Sequence, residues 1–211
     1  GAITTVAARK ALLSREARAL EPGKYTVVLE PAASVDLIGH MVSAMGARQA
    51  DEGRSFLSKP GGGTRLGEKI MDERVVLSSN PLHPDLPGNK WSGDGRPLPA
   101  VNWIKDGVVA NLSYTRYWAR KQGIAGEGTP PLGRDGRGGS EIGAFESTSG
   151  VIMAGGTASL DELVRSVKRG ILVTRMWYIR PVDPQTLLYT GLTRDGTFYI
   201  ENGAIKYEVK N

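Results

Sequence analysis

The chain has 211 residues, room for one domain with a real core, and its 40% apolar and 23% charged residues are ordinary globular usage. Its 28 glycines and 12 prolines argue against a helical bundle; no apolar run approaches the roughly 18 residues of a membrane span, and no membrane partner is expected. Cysteine is absent, which excludes disulfides, thiol nucleophiles and Cys-based zinc or iron–sulfur sites and fits a cytoplasmic protein, while a surplus of 27 basic over 22 acidic residues is too small and scattered to point to nucleic acid.

Residues 5–20 read as a helix, with Val6, Leu12 and Leu13 among Ala, Arg, Lys and Glu, stopped by Glu21-Pro22-Gly23. Tyr25-Thr26-Val27-Val28-Leu29 is a short apolar run, the mark of a strand buried on both faces. Pro31 ends it, and Ser34 is the expected N-cap of a helix in which Val35, Leu37, Ile38, Met41, Val42 and Met45 recur at helical spacing, with Gly46 a tolerated weak point. Pro60-Gly61-Gly62-Gly63 reads as a flexible loop, Val75-Val76-Leu77 as a strand, and residues 79–99 as a long loop of the kind that carries function.

Trp103-Ile104 and Val108-Val109-Ala110 flank an Asp106-Gly107 turn, a hairpin signature. A helix over 114–122 ends at Gly123; its Arg116-Tyr117-Trp118-Ala119-Arg120-Lys121 segment reads as an amphipathic end, with Tyr117 and Trp118 in the core and the cations solvated. Residues 124–143 form a Gly-rich loop or flap. Residues 147–153 make a strand, and Ser159-Leu160-Asp161-Glu162 is a capping box opening a helix that buries Leu163, Val164 and Val167 and closes at Gly170. Ile171-Leu172-Val173 starts a strand that continues through Trp177-Tyr178-Ile179. A meander follows: Leu187-Leu188-Tyr189, a turn at Asp195-Gly196, Thr197 to Ile200, a turn at Asn202-Gly203, and a last strand over 204–209. Helices and hairpins mixed in this way predict an α+β fold, a mixed or antiparallel sheet with hairpins and a C-terminal meander packed by a few helices.

The chain has two histidines, His40 and His83. A zinc peptidase needs three protein ligands, usually two His one helical turn apart with a Glu between them. The residue one turn after His40 is Ala44 and the next residue is Met41, so no such motif can be written; His40 reads as a structural residue and His83 as part of a surface loop. No G-x-S-x-G occurs. The stretch from Gly62 to Lys69 places Glu68 where a phosphate loop needs Lys, and a carboxylate there would repel phosphate. The carboxylate pairs Asp72-Glu73 and Asp51-Glu52 read as surface. No catalytic or metal-ligating residue is therefore assigned.

The segments Asp36 to Val42, Glu52 to Leu57, Leu66 to Ile70, Val75-Val76-Leu77, Gly93-Asp94-Gly95 and Ile104 to Val109 come in an ordered series. Gly155-Gly156-Thr157, Leu160 to Leu163, Gly170 to Val173, Asp183-Pro184 and Tyr199 to Ile205 continue it. Over residues 24–211 this series resembles the C-terminal domain of the TldD/PmbA peptidase family, also called modulators of DNA gyrase. The resemblance implies a domain at 24–211, continuing past Asn211 in the family, and a linker helix at 1–23 leading from an N-terminal domain upstream.

The family pairs a zinc-bearing TldD-type subunit, whose helix after the first strand carries His-Glu-x-x-x-His, with a PmbA (TldE) type subunit that lacks the motif. Here the His-Glu position falls on Gly39 and His40 with no second His, and the family's third ligand, a Cys near the C-terminus, has no counterpart. The resemblance is thus to the zinc-free type: no cofactor in this chain, zinc only in a catalytic homologue.

On this basis the chain is expected to be a non-catalytic subunit that helps form a chamber for unfolded peptides. It would pair as a dimer with a zinc-bearing TldD-type homologue or with itself. Extended peptide would add as a strand along a wall at Ser147, Thr148, Ser149, Gly150 and Val151. The alternatives are a peptidase with a non-standard site drawing on His40, Asp51 or Glu52, and a peptide- or nucleic-acid-binding regulatory module.

Overall fold

In the computed structural model, which describes residues 1–91, 97–123 and 150–210, the strands sort into two four-stranded sheets. In chain order the elements are α1 (Ala2–Leu13), β1 (Thr26–Leu29), α2 (Pro31–Ser43), α3 (Ala47–Asp51), β2 (Leu77–Ser79), β3 (Val101–Lys105), β4 (Val108–Val109), α4 (Arg116–Lys121), β5 (Val151–Met153), α5 (Leu160–Ser166), β6 (Arg169–Asp183), β7 (Leu188–Glu201) and β8 (Ala204–Glu208). They group into one unit of Gly1–Ile38, Gly156–Pro181 and Tyr189–Asn211, and a second of Gly39–Gly155 and Val182–Leu188. This is the α+β architecture that the residue pattern predicts.

The first unit holds the sheet β1-β6-β7-β8. β1 runs parallel to β6, from Thr26 opposite Gly170 to Leu29 opposite Val173. The backbones approach so closely at Gly170 that a Cβ there would lie 2.3 Å from the Thr26 carbonyl oxygen; the glycine serves this strand crossing and does not close a helix. β6 and β7 are neighbours joined by residues 184–187, a connection short enough to require antiparallel strands. β7 returns into β8 through Asn202 (φ 50°) and Gly203 (φ 74°), both left-handed as a type I′ turn demands. The turn expected at Asp195-Gly196 is instead an irregularity inside continuous β7, with φ of 61° and 113°. A Cβ at Gly196 would sit 2.5 Å from the Phe198 ring, so the glycine leaves room for that ring.

Val28, Val164, Val167, Leu172, Phe198 and Ile200 form this unit's core, with Leu13 and Ile205 packed against it. The capping box forms as read: Ser159 Oγ accepts from the Glu162 N–H, and the Glu162 carboxylate accepts from the Ser159 N–H at 2.7 Å. α5 turns Val164 inward, but Leu163 is 43% exposed, and Val27 at 44% shows β1 buried on one face rather than two. Helix α1 stops at Leu13, earlier than its composition suggests.

The second unit holds the sheet β4-β3-β2-β5. The Asp106-Gly107 hairpin turn forms with φ of 53° and 75°. Leu77, Trp103, Ile104, Val109 and Leu112 are buried, and the Trp103 Nε1–H donates to Ser79 Oγ at 3.1 Å. Trp118 is buried as expected and donates Nε1–H to Asp51 Oδ2 at 2.6 Å, but Tyr117, its expected core companion, is 65% exposed. Thr115 caps α4 by accepting from the Trp118 N–H. Gly46 does not weaken a helix; it is the N-cap of α3.

Candidate functional site

α2 begins at Pro31, whose missing N–H costs nothing in a first helical turn, so Ser34 lies inside the helix and its N–H bonds the Glu30 carbonyl at 3.0 Å. Gly39 and His40 lie towards its C-terminal end, both half-buried. Ala44, one turn after His40, falls just beyond the helix, where its carbonyl accepts from Ser55 Oγ at 2.8 Å. Asp36 accepts from the Met176 N–H at 3.2 Å, tying α2 to β6.

The other polar groups singled out in the sequence have structural partners. Asp51 takes the Trp118 indole N–H. Glu52 is clasped by Arg48 at 2.8 Å and by Arg54, and the hydrogen bonds from these two guanidiniums hold its carboxyl below the usual range. Glu68 pairs with Lys59 at 2.7 Å. His83 Nδ1 accepts from the Asp85 N–H at 3.2 Å, a local turn contact.

Of the five expected wall residues, Ser147, Thr148 and Ser149 lie outside the described residues, as does the 124–143 stretch. Gly150 has φ 98°, and Val151 opens β5. β5 is an edge strand paired to β2, with Val151 opposite Ser79, Ile152 opposite Ser78 and Met153 opposite Leu77. The Ala154 N–H bonds the Val76 carbonyl at 3.0 Å. Antiparallel ladders alternate, so Ile152 faces β2 as well, while the backbone N–H and C=O of Val151 and Met153 point to the outer edge. Among the described residues no strand pairs with that edge. The opposite edge of the same sheet is covered: Gly67 and Glu68 exchange hydrogen bonds with Val109 at 2.8 and 3.0 Å.

A sequence profile of the PmbA/TldA metallopeptidase C-terminal domain matches residues 22–211. The chain belongs to the TldD/PmbA family. It is 24% identical over 205 residues to the metalloprotease PmbA of Escherichia coli O157:H7, covering 96% of this chain and 40% of that protein. The crystal structure of a protein described as a modulator of DNA gyrase from Bacteroides thetaiotaomicron superposes with a TM-score of 0.75 at 25% identity, over 97% of this chain and 41% of that one. TldE from Thermococcus kodakarensis gives 0.76 at 22% identity, over 99% and 45%. The chain thus spans well under half the length of these relatives.

A metallopeptidase family implies a metal, and the donors among the described residues of this TldD/PmbA domain do not fit one. α2 offers a single imidazole, at His40, with Gly39 before it and Ala44 one turn on. Among the described residues no three His, Asp or Glu side chains come together as a ligand set.

Two features of the domain escaped the sequence reading. Lys10 Nζ reaches Glu30 at 2.6 and 2.7 Å and Thr174 Oγ1 at 2.9 Å, a half-buried knot tying α1 to β1 and β6; nothing in a local window announces a pairing across 164 residues. On the ribbon of β6 and β7, Arg175 and Arg194 both lie over the Trp177 ring, at 5.7 and 4.1 Å from its centroid, and Arg180 lies over Tyr178 at 4.2 Å. Its signal was the i, i+2 spacing of Arg175 and Trp177, which puts both on one face of a strand.

Proposed function

We propose that this chain is the C-terminal domain of a zinc-free, PmbA-type member of the family, which pairs with a zinc-bearing TldD-type homologue and holds unfolded polypeptide for it. One observation carries the reading: the helix that follows the first strand, where the family's catalytic type bears its ligands, has Gly39, His40 and Ala44 and no second imidazole. The open edge of β5 supports the peptide-holding half, because an extended chain can add there by bonding the Val151 and Met153 backbone. β1 is a terminal strand of the other sheet, and its outer edge has no strand on it among the described residues; β5 is favoured because its two outward-facing residues continue from the expected wall.

The test is affinity purification of the full-length parent protein from its own cells, with mass spectrometry and metal analysis of the eluate. A homologue carrying His-Glu-x-x-x-His at equal ratio, with zinc following that homologue, is the expected result. Stoichiometric zinc and peptide hydrolysis in the parent protein by itself would overturn the reading.

A further inference from the structure

Between residues 174–181 of β6 and 189–196 of β7 the charged residues are Arg175, Arg180, Arg194 and Asp195, three cations against one anion. The ribbon is bare here: Trp177 is 40% exposed, Tyr178 64% and Leu192 52%. Trp, Tyr and Arg together are the composition of binding hot spots. Stacking fixes the guanidiniums before any partner arrives, so little side-chain freedom remains to be lost, while the Arg175 and Arg194 side chains stay 48% and 51% exposed and so can each grip a carboxylate. Asp195 approaches Arg175 at 3.8 Å and Arg194 at 3.6 Å, too far for good hydrogen bonds, so it leaves them unsatisfied. The Trp177 face is already covered by Arg194, which leaves no platform for a nucleobase and favours a carboxylate partner.

From this we infer that the ribbon is a docking surface for an acidic, extended segment of an unfolded polypeptide. In such a segment alternate side chains share a face about 6.6 Å apart, the same interval that separates Arg175 from Trp177 along β6. The inference takes from the reading above only that the guest is an unfolded chain; its geometry is independent of β5.

The experiment measures binding of fluorescent peptides of about a dozen residues, which span the ribbon when extended. They alternate Glu-Ala, Ser-Ala or Lys-Ala, and a single-stranded oligothymidylate is run beside them, all against the full chain. The Glu-Ala peptide is expected to bind at least about tenfold tighter than Ser-Ala, to weaken with salt, and to lose about tenfold in Arg175→Glu/Arg194→Glu but not in Lys24→Glu, a charge reversal elsewhere. Circular dichroism verifies folding; should the double reversal unfold, Arg194→Gln carries the same test with a smaller expected loss. Equal binding of Glu-Ala and Ser-Ala, unchanged affinity in the ribbon variants, or tighter binding of the oligothymidylate overturns the inference whatever happens at β5. Met153→Pro removes an outward N–H without touching the bonds to β2. If that variant leaves all peptide binding intact, the β5 reading fails while the ribbon's stands.

Discussion

Gly170→Ala has an expected sign opposite to that of an ordinary strand glycine. In an unhindered strand the replacement stabilises by about 0.5–1 kcal/mol, because alanine has less freedom to lose on folding. At Gly170 the new Cβ would stand 2.3 Å from the Thr26 carbonyl oxygen and 2.7 Å from Val167 Cγ1. A carbon rests about 3.3 Å from a carbonyl oxygen, so β1 must retreat by about 1 Å. That retreat is not local: four rungs tie Thr26–Leu29 to Gly170–Val173, and Val28 and Leu172 are both part of the core beside Val167. A weakened rung at about 1 kcal/mol and overpacking at about 1–3 kcal/mol give a loss of about 2–4 kcal/mol. Gly155 is the matched control, since a Cβ there meets nothing within 4 Å and its φ is not left-handed. Urea and thermal unfolding followed by circular dichroism should show Gly155→Ala neutral or stabilised and Gly170→Ala melting roughly 5–15 °C lower. Equal stability of the two variants would refute the close approach of β1 to β6.

Gly107 and Gly53 both have φ 75°, yet a Cβ at Gly107 would lie 2.3 Å from the Met71 carbonyl oxygen while Gly53 faces open space. Gly53→Ala should cost about 1–2 kcal/mol for the left-handed backbone, and Gly107→Ala at least about 2 kcal/mol more in urea denaturation, a gap whose absence would refute the packing under that turn. Lys10→Met should lose about 1–3 kcal/mol by leaving Glu30 half-buried without its ammonium, and Lys10→Met/Glu30→Leu should recover most of it; purely additive losses in that double-mutant cycle would contradict the knot. The Ser159 N–H, then its hydroxyl, hold the Glu162 carboxyl below its usual range. The cap is therefore fully present above the unfolded value of about 4.3 and is lost as pH falls through the lower folded value. The Ser159 amide resonance should titrate below the midpoint of glutamate in an unfolded peptide, and a midpoint at or above it would contradict the reciprocal cap.

What was legible in the sequence was what is local. The Ser159–Glu162 box, the Asp106-Gly107 and Asn202-Gly203 turns and the buried Trp118 each depend on a few neighbouring residues, and each formed. The misreadings arise where the rest of the structure outweighs a single local signal. Asp195-Gly196 carries the dipeptide of a type I′ turn, but both residues lie inside the continuous strand β7, where their left-handed backbone is an irregularity instead. Gly170 follows an amphipathic helix and so resembles a helix stop, whereas its reason lies in Thr26, 144 residues earlier. Ser34 has the side chain of a cap, but Pro31 already suits the first turn and starts α2 sooner. At Gly170 a distant partner overrode a correct local propensity, and at Ser34 a nearby proline did.

The candidate sites divide along the same line. Ligand chemistry is a matter of residue identity, so the poverty of α2 in imidazoles could be read directly from Gly39, His40 and Ala44. Edge availability is a matter of which strands find partners. β4 and β5 are both short, yet β4 is sealed by Gly67 and Glu68 while Val151 and Met153 direct their backbone outward, and no window around either strand distinguishes them. The arginine stack lies between the two cases. Arg175 and Trp177 share a strand and a face, which spacing reveals. Arg194, the cation nearer the indole, arrives only because β6 and β7 run antiparallel over more than a dozen residues each. A function that depends on unpaired backbone or on cations gathered from two strands must therefore be sought in the pairing of the sheet, even where the single imidazole of α2 is plain from its residues.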